Sequence, residues 1–327
     1  MNEFGNSVRQ GVGRNIPLAM YTRLQLGGPA EYFAEPESEA DLVALLKQSR
    51  TNQLPVRVLG AGTNVLVTET GVMGSPKTDF NGTIIAGTDV TGADVVGTGS
   101  TGTCITGLTL LLSNPVFCGI TVEGQQVIAG AGAKLGQVIT QSVSQGLGGI
   151  ESLIGIPGSV GGSLRGNAGT NSGDLGQWVE SVKVAHFDGT ISVLSKNEIS
   201  FGYRSSSLDD VVILSAVFRL EKDNPVDLTR RMQKLWIVRK TQQPSGELAS
   251  VYVFKNPTTG TPAGDLIEQA GLKGTRIGGA IVCERNANFI MVEPEGTAED
   301  VLRLIRLVQE QVEKRTEIEL ELSLEIW

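Results

Sequence analysis

The sequence predicts an α+β chain with more than one structural unit, and three observations carry that reading. Stretches with apolar residues at helical spacing alternate with short apolar runs of strand character. At 327 residues the chain is long enough to bury a sizeable core and to form two or three units. Two glycine-rich segments, Gly60-Ala61-Gly62-Thr63-Asn64 and Gly155-Ile156-Pro157-Gly158-Ser159-Val160-Gly161-Gly162 followed by Asn167-Ala168-Gly169, each adjoin an apolar strand-like run. Segments so poor in side chains let backbone N–H groups come close to an anion such as a diphosphate, so the chain reads as a cofactor binder.

The elements follow in order. Ser38-Glu39-Ala40-Asp41 is a capping box, and Leu42, Val43, Leu45 and Leu46 after it predict a helix over about 39–50. Val56-Arg57-Val58-Leu59 and Val65-Leu66-Val67 read as buried strands flanking the first glycine loop, whose backbone should face a ligand. Leu135 to Gln145 is helical and stops at Gly146. Val182 to Val184, Thr190 to Val193 and Val211 to Leu220 read as strands, and Asp188-Gly189 marks a hairpin between the first two. A helix from Asp227 to about Lys240 follows the charged, proline-containing junction Glu221 to Pro225, where we draw the domain boundary: 15–222 and 223–327. The C-terminal unit then holds a strand near Ser250–Phe254, a helix near Ala263–Ala270, a strand near Phe289–Val292, a helix opened by Thr297-Ala298-Glu299-Asp300, and a closing strand Ile318–Ile326. In the closing strand the apolar residues face one way and Glu319, Glu321, Ser323 and Glu325 the other.

Residues 75–107 stand apart. Their 7 glycines and 8 threonines lack apolar periodicity, which marks an insertion: a lid, a surface loop or an extra hairpin.

Composition excludes several classes. With 27 Lys and Arg against 35 Asp and Glu, the net charge of −8 offers no basic field for nucleic acid or an anionic membrane. No stretch approaches the roughly 20 apolar residues of a membrane span, and a cytoplasmic location is expected. Cys104, Cys118 and Cys283 are odd in number and scattered, suiting neither disulfides nor zinc, and read as reduced thiols, two of them in ordinary packing. The single histidine, His186, reads as a hairpin surface residue, so no metal site is expected. Trp178, Trp236 and Trp327 are too dispersed for a nucleic-acid stacking platform and read as packing residues. No protein partner can be inferred.

Together these segments resemble one family, the UDP-N-acetylenolpyruvoylglucosamine reductases, or MurB enzymes. The resemblance runs through Asn15-Ile16-Pro17-Leu18, Gly27-Gly28-Pro29-Ala30, both glycine segments, Phe201-Gly202-Tyr203-Arg204, Phe254-Lys255-Asn256-Pro257, and Ala263-Gly264 with Gly271-Leu272-Lys273-Gly274. It spans nearly the whole chain apart from residues 1–14 and the insertion. The lack of a long insertion after Arg204 is similar to the shorter, type II members.

The resemblance implies an N-terminal FAD-binding region of the vanillyl-alcohol-oxidase kind in two lobes, followed by a smaller α+β substrate-binding domain. It implies reduction of FAD by NADPH and hydride transfer to the enolpyruvyl group of a UDP-sugar, the small-molecule substrate. Gly60, Ala61, Gly62, Thr63, Asn64, Pro157, Gly158, Ser159, Gly161, Gly162, Asn167 and Gly169 would hold the cofactor, the backbone amides on its diphosphate. Arg204 matches the family's catalytic arginine, and a guanidinium suits charge that spreads into a substrate carboxylate. Tyr203, Lys240, Asn256 and Asn286 match positions that contact substrate.

The chain departs from the pattern in two places. Where the family places a serine or cysteine proton donor stands Tyr252, and where it places an assisting glutamate stands Ser323. Three readings are open. Tyr252 itself donates the proton; Ser250 with Glu321 or Glu325 substitutes, although a two-residue shift moves a group by roughly 6–7 Å unless a bulge corrects the register; or the chain binds flavin or UDP-sugar without the reductase activity.

Overall fold

The computed structural model describes residues 11–69, 105–244, 248–258 and 260–327. Ser38 is the N-cap the sequence predicts: its Oγ accepts from the Asp41 N–H at 3.1 Å and donates to the Asp41 carboxylate at 2.7 Å, starting α1 (Glu39–Thr51) by satisfying a donor that a helix start leaves without a partner. Leu42, Leu45 and Leu46 on one face of α1 are buried in a cluster with Tyr32, Ala34, Leu108 and Leu110. Those four belong to a sheet ordered Val12–Pro17, Pro29–Ala34, Ile105–Leu111, Val56–Leu59, antiparallel in its first pair and parallel in the other two. Parallel strands need a crossover, and α1 supplies it between Pro29–Ala34 and Val56–Leu59.

The predicted insertion lies outside the described residues as far as Cys104. Its last three residues instead open the strand Ile105–Leu111, where Gly107 at φ +90° donates its N–H to the Glu31 carboxylate at 2.8 Å. Pairing with two parallel neighbours overrides a composition that points to a loop.

A second, five-stranded antiparallel sheet is ordered Ile191–Ser195, Val179–His186, Val211–Arg219, Gln126–Gly130, Ile120–Glu123. The Asp188-Gly189 hairpin joins its first two strands, with Gly189 at φ +84° and His186 Nε2 within 2.8 Å of Ser192 Oγ across it. α2 (Leu135–Ser144) buries Leu135, Val138, Ile139 and Val143 in the same large core. α3 (Val160–Arg165) is a single short turn and a half inside the second glycine segment.

α4 (Pro225–Gln242) is capped by Asn224 Oδ1, which accepts from the Val226 and Asp227 N–H groups. The boundary at 222/223 gives this helix to the C-terminal domain, yet its buried residue, Leu228, belongs to the N-terminal core, and Met232 packs against that core.

A third sheet is ordered Ala249–Tyr252, Phe289–Val292, Ala280–Val282, Arg276–Ile277, all antiparallel. α5 (Ala263–Gln269) and α6 (Ala298–Thr316) share a core with it through Leu266, Ile267, Val301, Leu304, Ile305 and Val308. The capping box at Thr297 and Asp300 is fully formed.

The long closing strand is not. Only Glu325–Ile326 is strand, paired parallel with Val65–Leu66, and Leu322 makes an isolated bridge to Phe254. The physical reason is that Val253 O accepts from both Ser323 N–H at 2.8 Å and Leu324 N–H at 3.3 Å, which breaks the two-residue alternation with a bulge. Leu320 and Leu324 are still buried while Ile326 is exposed.

This tail stitches the two units together. Leu24 and Leu66 of the N-terminal region enter the C-terminal core. Trp327 packs with Leu18, Phe33, Val65 and Val67 in a third cluster. Cys118 and Cys283 are free thiols, the second buried, and Cys104 lies outside the described residues. No described helix is long and apolar enough to cross a membrane.

Candidate active site

The two glycine segments, about a hundred residues apart in sequence, meet. A Cβ on Gly60 would lie 2.7 Å from Ser159 Oγ, and Thr63 Oγ1 donates to Pro157 O at 3.4 Å. The first loop is held by its neighbours on both sides. Arg23 N–H donates to Gly62 O at 2.8 Å, Asn64 Nδ2 donates to Ser323 O at 2.6 Å, and Glu325 N–H donates to Asn64 O at 3.1 Å. At Gly62 the backbone turns through φ +60°, where a Cβ would stand 2.1 Å from Tyr21 O, so only glycine fits.

What the loop leaves over is the informative part. Among the described residues, the N–H groups of Ala61, Gly62, Thr63 and Asn64 donate to no protein acceptor, nor do those of Gly158 and Ser159. Ala61 and Asn64 are exposed to water while Gly62 and Ser159 are buried, and free amides arranged in this way suit an anion.

The second segment is used differently from the sequence expectation. Gly161 donates its N–H to Ala131 O at 2.8 Å and packs where a Cβ would be 3.2 Å from Ala131 Cβ, while the Gly162 N–H goes to Ser159 Oγ. Val160 N–H is likewise spent, on Ala133 O. A Cβ on Gly169 would meet Asp174 Cβ at 2.8 Å. Asn167, 3% exposed, donates Nδ2 to Gly202 O at 2.9 Å and accepts the Gly176 N–H at 3.0 Å. Close packing thus accounts for glycine at 161 and 169, whereas Gly162 has room for a side chain, and Asn167 is held by its own hydrogen bonds.

Asn167 also positions the arginine. Phe201–Gly202 and Ser205–Ser206 form a two-residue hairpin whose turn is Tyr203-Arg204, and Arg204 sits at φ +56° in the left-handed region. A non-glycine residue there is strained and persists only where its surroundings hold it. The guanidinium Cζ lies 5.8 Å from the Tyr203 ring centroid, and Arg204 Nε is buried with no hydrogen-bond partner among the described residues. Arg239 is near enough that burial, and after it the Arg204 charge, lower its pKa below the ordinary guanidinium value. Two cations facing one space favour an anionic occupant.

Tyr252 ends the edge strand of the third sheet, its ring edge-on to Phe289 at 5.4 Å. Its hydroxyl donates to Asn256 Oδ1 at 3.4 Å, Asn256 N–H donates to the Tyr203 hydroxyl at 3.0 Å, and Ala263 N–H donates to Asn256 Oδ1 at 3.1 Å. Burial first, then the Tyr203 phenol, raise the Tyr252 pKa above the ordinary phenol value, with Arg204 and Asn288 pulling the other way. Tyr203, Arg204, Tyr252 and Asn256 therefore form one cluster.

Sequence reading missed Asn288. At 2% exposure it exchanges two bonds with Phe254, Oδ1 accepting from N–H at 2.9 Å and Nδ2 donating to O at 2.8 Å, which fixes the chain just beyond Tyr252. Its only sequence signal is its place beside Asn286. Asn286 itself caps that loop, its Oδ1 accepting the Asn288 N–H at 3.0 Å.

Ser323 comes beside this cluster through its backbone bond to Val253, and its carbonyl holds Asn64. The displaced substitutes are committed elsewhere. Ser250 is buried, Glu321 pairs with Lys255 at 3.4 Å, and Glu325 pairs with Arg165 at 2.9 Å. Lys240 lies exposed on the last turn of α4 with Nζ 4.8 Å over the Trp236 ring. Trp178 and Trp327 pack against cores as expected, but Trp236 is 45% exposed and is no packing residue.

A family model for the C-terminal domain of UDP-N-acetylenolpyruvoylglucosamine reductase matches residues 243–327. The chain is 35% identical over 316 residues to a UDP-N-acetylenolpyruvoylglucosamine reductase of Rhodopirellula baltica, spanning 97% of this chain and 92% of that one. A reductase of the same name from Moorella thermoacetica is 35% identical over 314 residues, with 96% and 92% covered. Among solved structures, the crystal structure of the enzyme (MurB) from Thermus caldophilus is similar with a TM-score of 0.75 and 32% identity, over 96% of this chain and 98% of that chain. The converging glycine segments, the arginine on its strained turn and likeness across nearly the full length agree with the motifs read from the sequence: the chain belongs to the UDP-N-acetylenolpyruvoylglucosamine reductase family.

Proposed function

We propose that the protein is an FAD-dependent reductase that uses NADPH to convert UDP-N-acetylglucosamine enolpyruvate to UDP-N-acetylmuramate for peptidoglycan synthesis. The observation that carries this is Arg204: a buried Nε–H without a partner, on a strained turn, beside a phenol that is held protonated. That is an acceptor site for a carboxylate next to a proton source.

FAD fits the residues present, since the unspent amides of Ala61 to Asn64, with those of Gly158 and Ser159, form a row suited to a diphosphate. The chemistry it supplies when bound is hydride transfer to the distal carbon of the enolpyruvyl double bond. As that bond is reduced, negative charge grows on the carbon bearing the carboxylate. Arg204 grips the carboxylate in bidentate fashion and stabilises that charge, an effect commonly worth a few kcal/mol per donor. Tyr252 Oη gives its proton to the same carbon and is reprotonated from solvent. Asn256 and Tyr203 orient the phenol, and Asn256, Asn286, Tyr203 and Lys240 line the substrate side. A cytoplasmic location belongs to this reading.

A second reading rests on Ser323, which leaves the site without the family's carboxylate: a homologue that binds FAD or UDP-sugar without reducing it. One titration separates the two. The purified protein should be yellow, NADPH should bleach it anaerobically, and UDP-N-acetylglucosamine enolpyruvate should restore the colour. A flavin that bleaches but is not reoxidised by this compound would leave only the second reading.

A further inference from the structure

The turn over residues 21–26 is anchored in both units. Thr22 is buried against the first glycine loop, where a Cβ on Gly62 would stand 2.7 Å from Thr22 Cα, and Leu24 is 2% exposed in the core of the C-terminal unit. Thr22 Oγ1 donates to Leu26 O at 2.8 Å, the Gln25 N–H donates to Thr22 O at 3.1 Å, and Gln25 sits at φ +57°, so the turn is closed on itself and held. Arg23 lies between the two anchors. Its backbone N–H donates to Gly62 O at 2.8 Å, and its side-chain Nε donates to Ser250 O at 3.0 Å. Ser250 belongs to the strand Ala249–Tyr252, which pairs on one side only and so leaves outward backbone groups to be satisfied from elsewhere. Beyond Tyr252 on the same chain, Val253 O accepts the Ser323 N–H at 2.8 Å, and Ser323 O accepts from Asn64 Nδ2 at 2.6 Å. Tyr252 is thus bracketed: the chain is tied at 250 and at 253, and both ties end on the cofactor loop, at Gly62 and at Asn64.

We propose that Arg23 is a positioning residue for the reduction: by holding the Gly62 carbonyl and the Ser250 carbonyl on one residue, it sets the distance between the cofactor loop and the strand that presents Tyr252, so that a cofactor seated on the loop finds the phenol in place. The inference rests on the reading above in that Tyr252 is the acid. The tie to Ser250 needs an N–H at the Nε position rather than a positive charge. Glutamine carries Nε2 the same number of bonds from Cα and can supply that donor, whereas methionine has the same length and no donor. Arg23 is exposed, so its replacement removes little packing. Proton transfer, by contrast, answers steeply to displacements of about 1 Å, and the loss of one of two ties is read in the rate rather than in stability.

Stopped-flow absorbance of the two half-reactions of the flavin-loaded protein tests it. Bleaching by NADPH requires the flavin but not the phenol, and restoration of colour by UDP-N-acetylglucosamine enolpyruvate requires both. Arg23→Met should bleach within about twofold of the wild-type rate and regain colour about 10- to 100-fold more slowly at saturating substrate. Arg23→Gln should recover most of that loss. On a Tyr252→Phe background, Arg23→Met should cost less than about threefold, because the group it places is gone. The proposal is overturned by an Arg23→Met protein that regains colour at the wild-type rate, by equal slowing of both half-reactions, by an Arg23→Gln protein as slow as Arg23→Met, or by losses that multiply with those of Tyr252→Phe. A Tyr252→Phe protein that regains colour as fast as wild type is a different result: it removes the reading of Tyr252 as the acid, and the positioning role with it.

Discussion

The site has two poles built from different materials. At one, the loop Gly60–Asn64 presents backbone amides and almost no side chains; at the other, Arg204, Tyr203, Tyr252 and Asn256 present side chains whose identity decides the chemistry. The backbone pole tolerates any sequence that keeps the chain path, which small residues do. The side-chain pole has no such insurance, and it is there that Tyr252 and Ser323 stand where the sequence reading expects a serine or cysteine and a glutamate. A binding function carried by amides and a catalytic function carried by side chains can drift apart in one molecule.

The largest expected effect breaks the backbone pole. Gly62→Ala places a Cβ 2.1 Å from Tyr21 O and asks alanine to hold φ +60°, which alone costs about 1–2 kcal/mol. The loop must shift, and 1–2 kcal/mol corresponds to about 5- to 30-fold in an equilibrium constant. The protein should emerge colourless, with flavin affinity read by fluorescence titration down at least that far. Gly162→Ala is the matched control. It has ordinary helical backbone, its Cβ would meet nothing closer than 3.5 Å, and alanine in a helix is favoured by up to about 1 kcal/mol. That variant should stay yellow with a Tm unchanged or slightly raised. If Gly162→Ala loses flavin while Gly62→Ala keeps it, the assignment of the two segments is reversed.

The side-chain pole answers to smaller but sharper changes. Tyr252→Phe removes the proposed acid while keeping the ring on Phe289, and turnover in the reoxidation half-reaction should fall by about 10²- to 10⁴-fold. The sign of the pH effect follows from the raised pKa. A folded value above the ordinary 10.0 means the phenol stays protonated through neutrality and loses its proton only as the pH climbs through that higher value. Activity, and whatever stability the neutral phenol contributes, are thus present in full below about pH 10 and decline above it. Tyr252→Phe should lack that alkaline limb. Next, Arg204→Gln should lower the same rate by about 10²- to 10³-fold with flavin retained, since only the developing charge loses its partner.

The path of the backbone pole was legible in the sequence, because glycine marks positions that a Cβ would block, at Gly60 and Gly62, or a backbone that L side chains rarely adopt, at Gly158 with φ +146°. The same signature is ambiguous at Gly161 and Gly169, where close packing against Ala131 and Asp174 also selects small residues, and at Gly162, where a Cβ would meet nothing closer than 3.5 Å. Composition cannot tell a glycine that faces a ligand from one that faces a neighbour. The helix starts at Ser38, a side-chain N-cap, and at Thr297, a full capping box, were readable because the signal is local. The closing strand was not, because its alternation is cut by a bulge against Val253, a contact made across some seventy residues that no local pattern encodes. Asn288 was invisible for the same reason, and Trp236 because a helix surface position gives no sign of what stands opposite it.

The smallest expected effect concerns the missing carboxylate, and it separates the two remaining accounts of the side-chain pole. Glu321 has a side chain that is 75% exposed and pairs with Lys255 at 3.4 Å, an exposed ion pair worth about 0–1 kcal/mol. If the carboxylate function had moved to this residue, Glu321→Gln would slow turnover by a factor comparable to Tyr252→Phe. The geometry gives it no such part: the residue lies two positions from Ser323, and its backbone carbonyl, rather than its carboxylate, contacts the site strand by accepting the Lys255 N–H at 2.8 Å. Glu321→Gln should therefore leave turnover within about twofold and Tm within about 2 °C, an isolated surface change. Ser323→Glu with Tyr252→Ser, which restores the family's pair, is its counterpart and should raise turnover above that of Tyr252→Ser alone. A silent Glu321→Gln together with a gain in the restored pair would show that the tyrosine replaced a two-group device with a single phenol; a slow Glu321→Gln would instead mean that the bulge at Val253 had carried the carboxylate two residues along the tail.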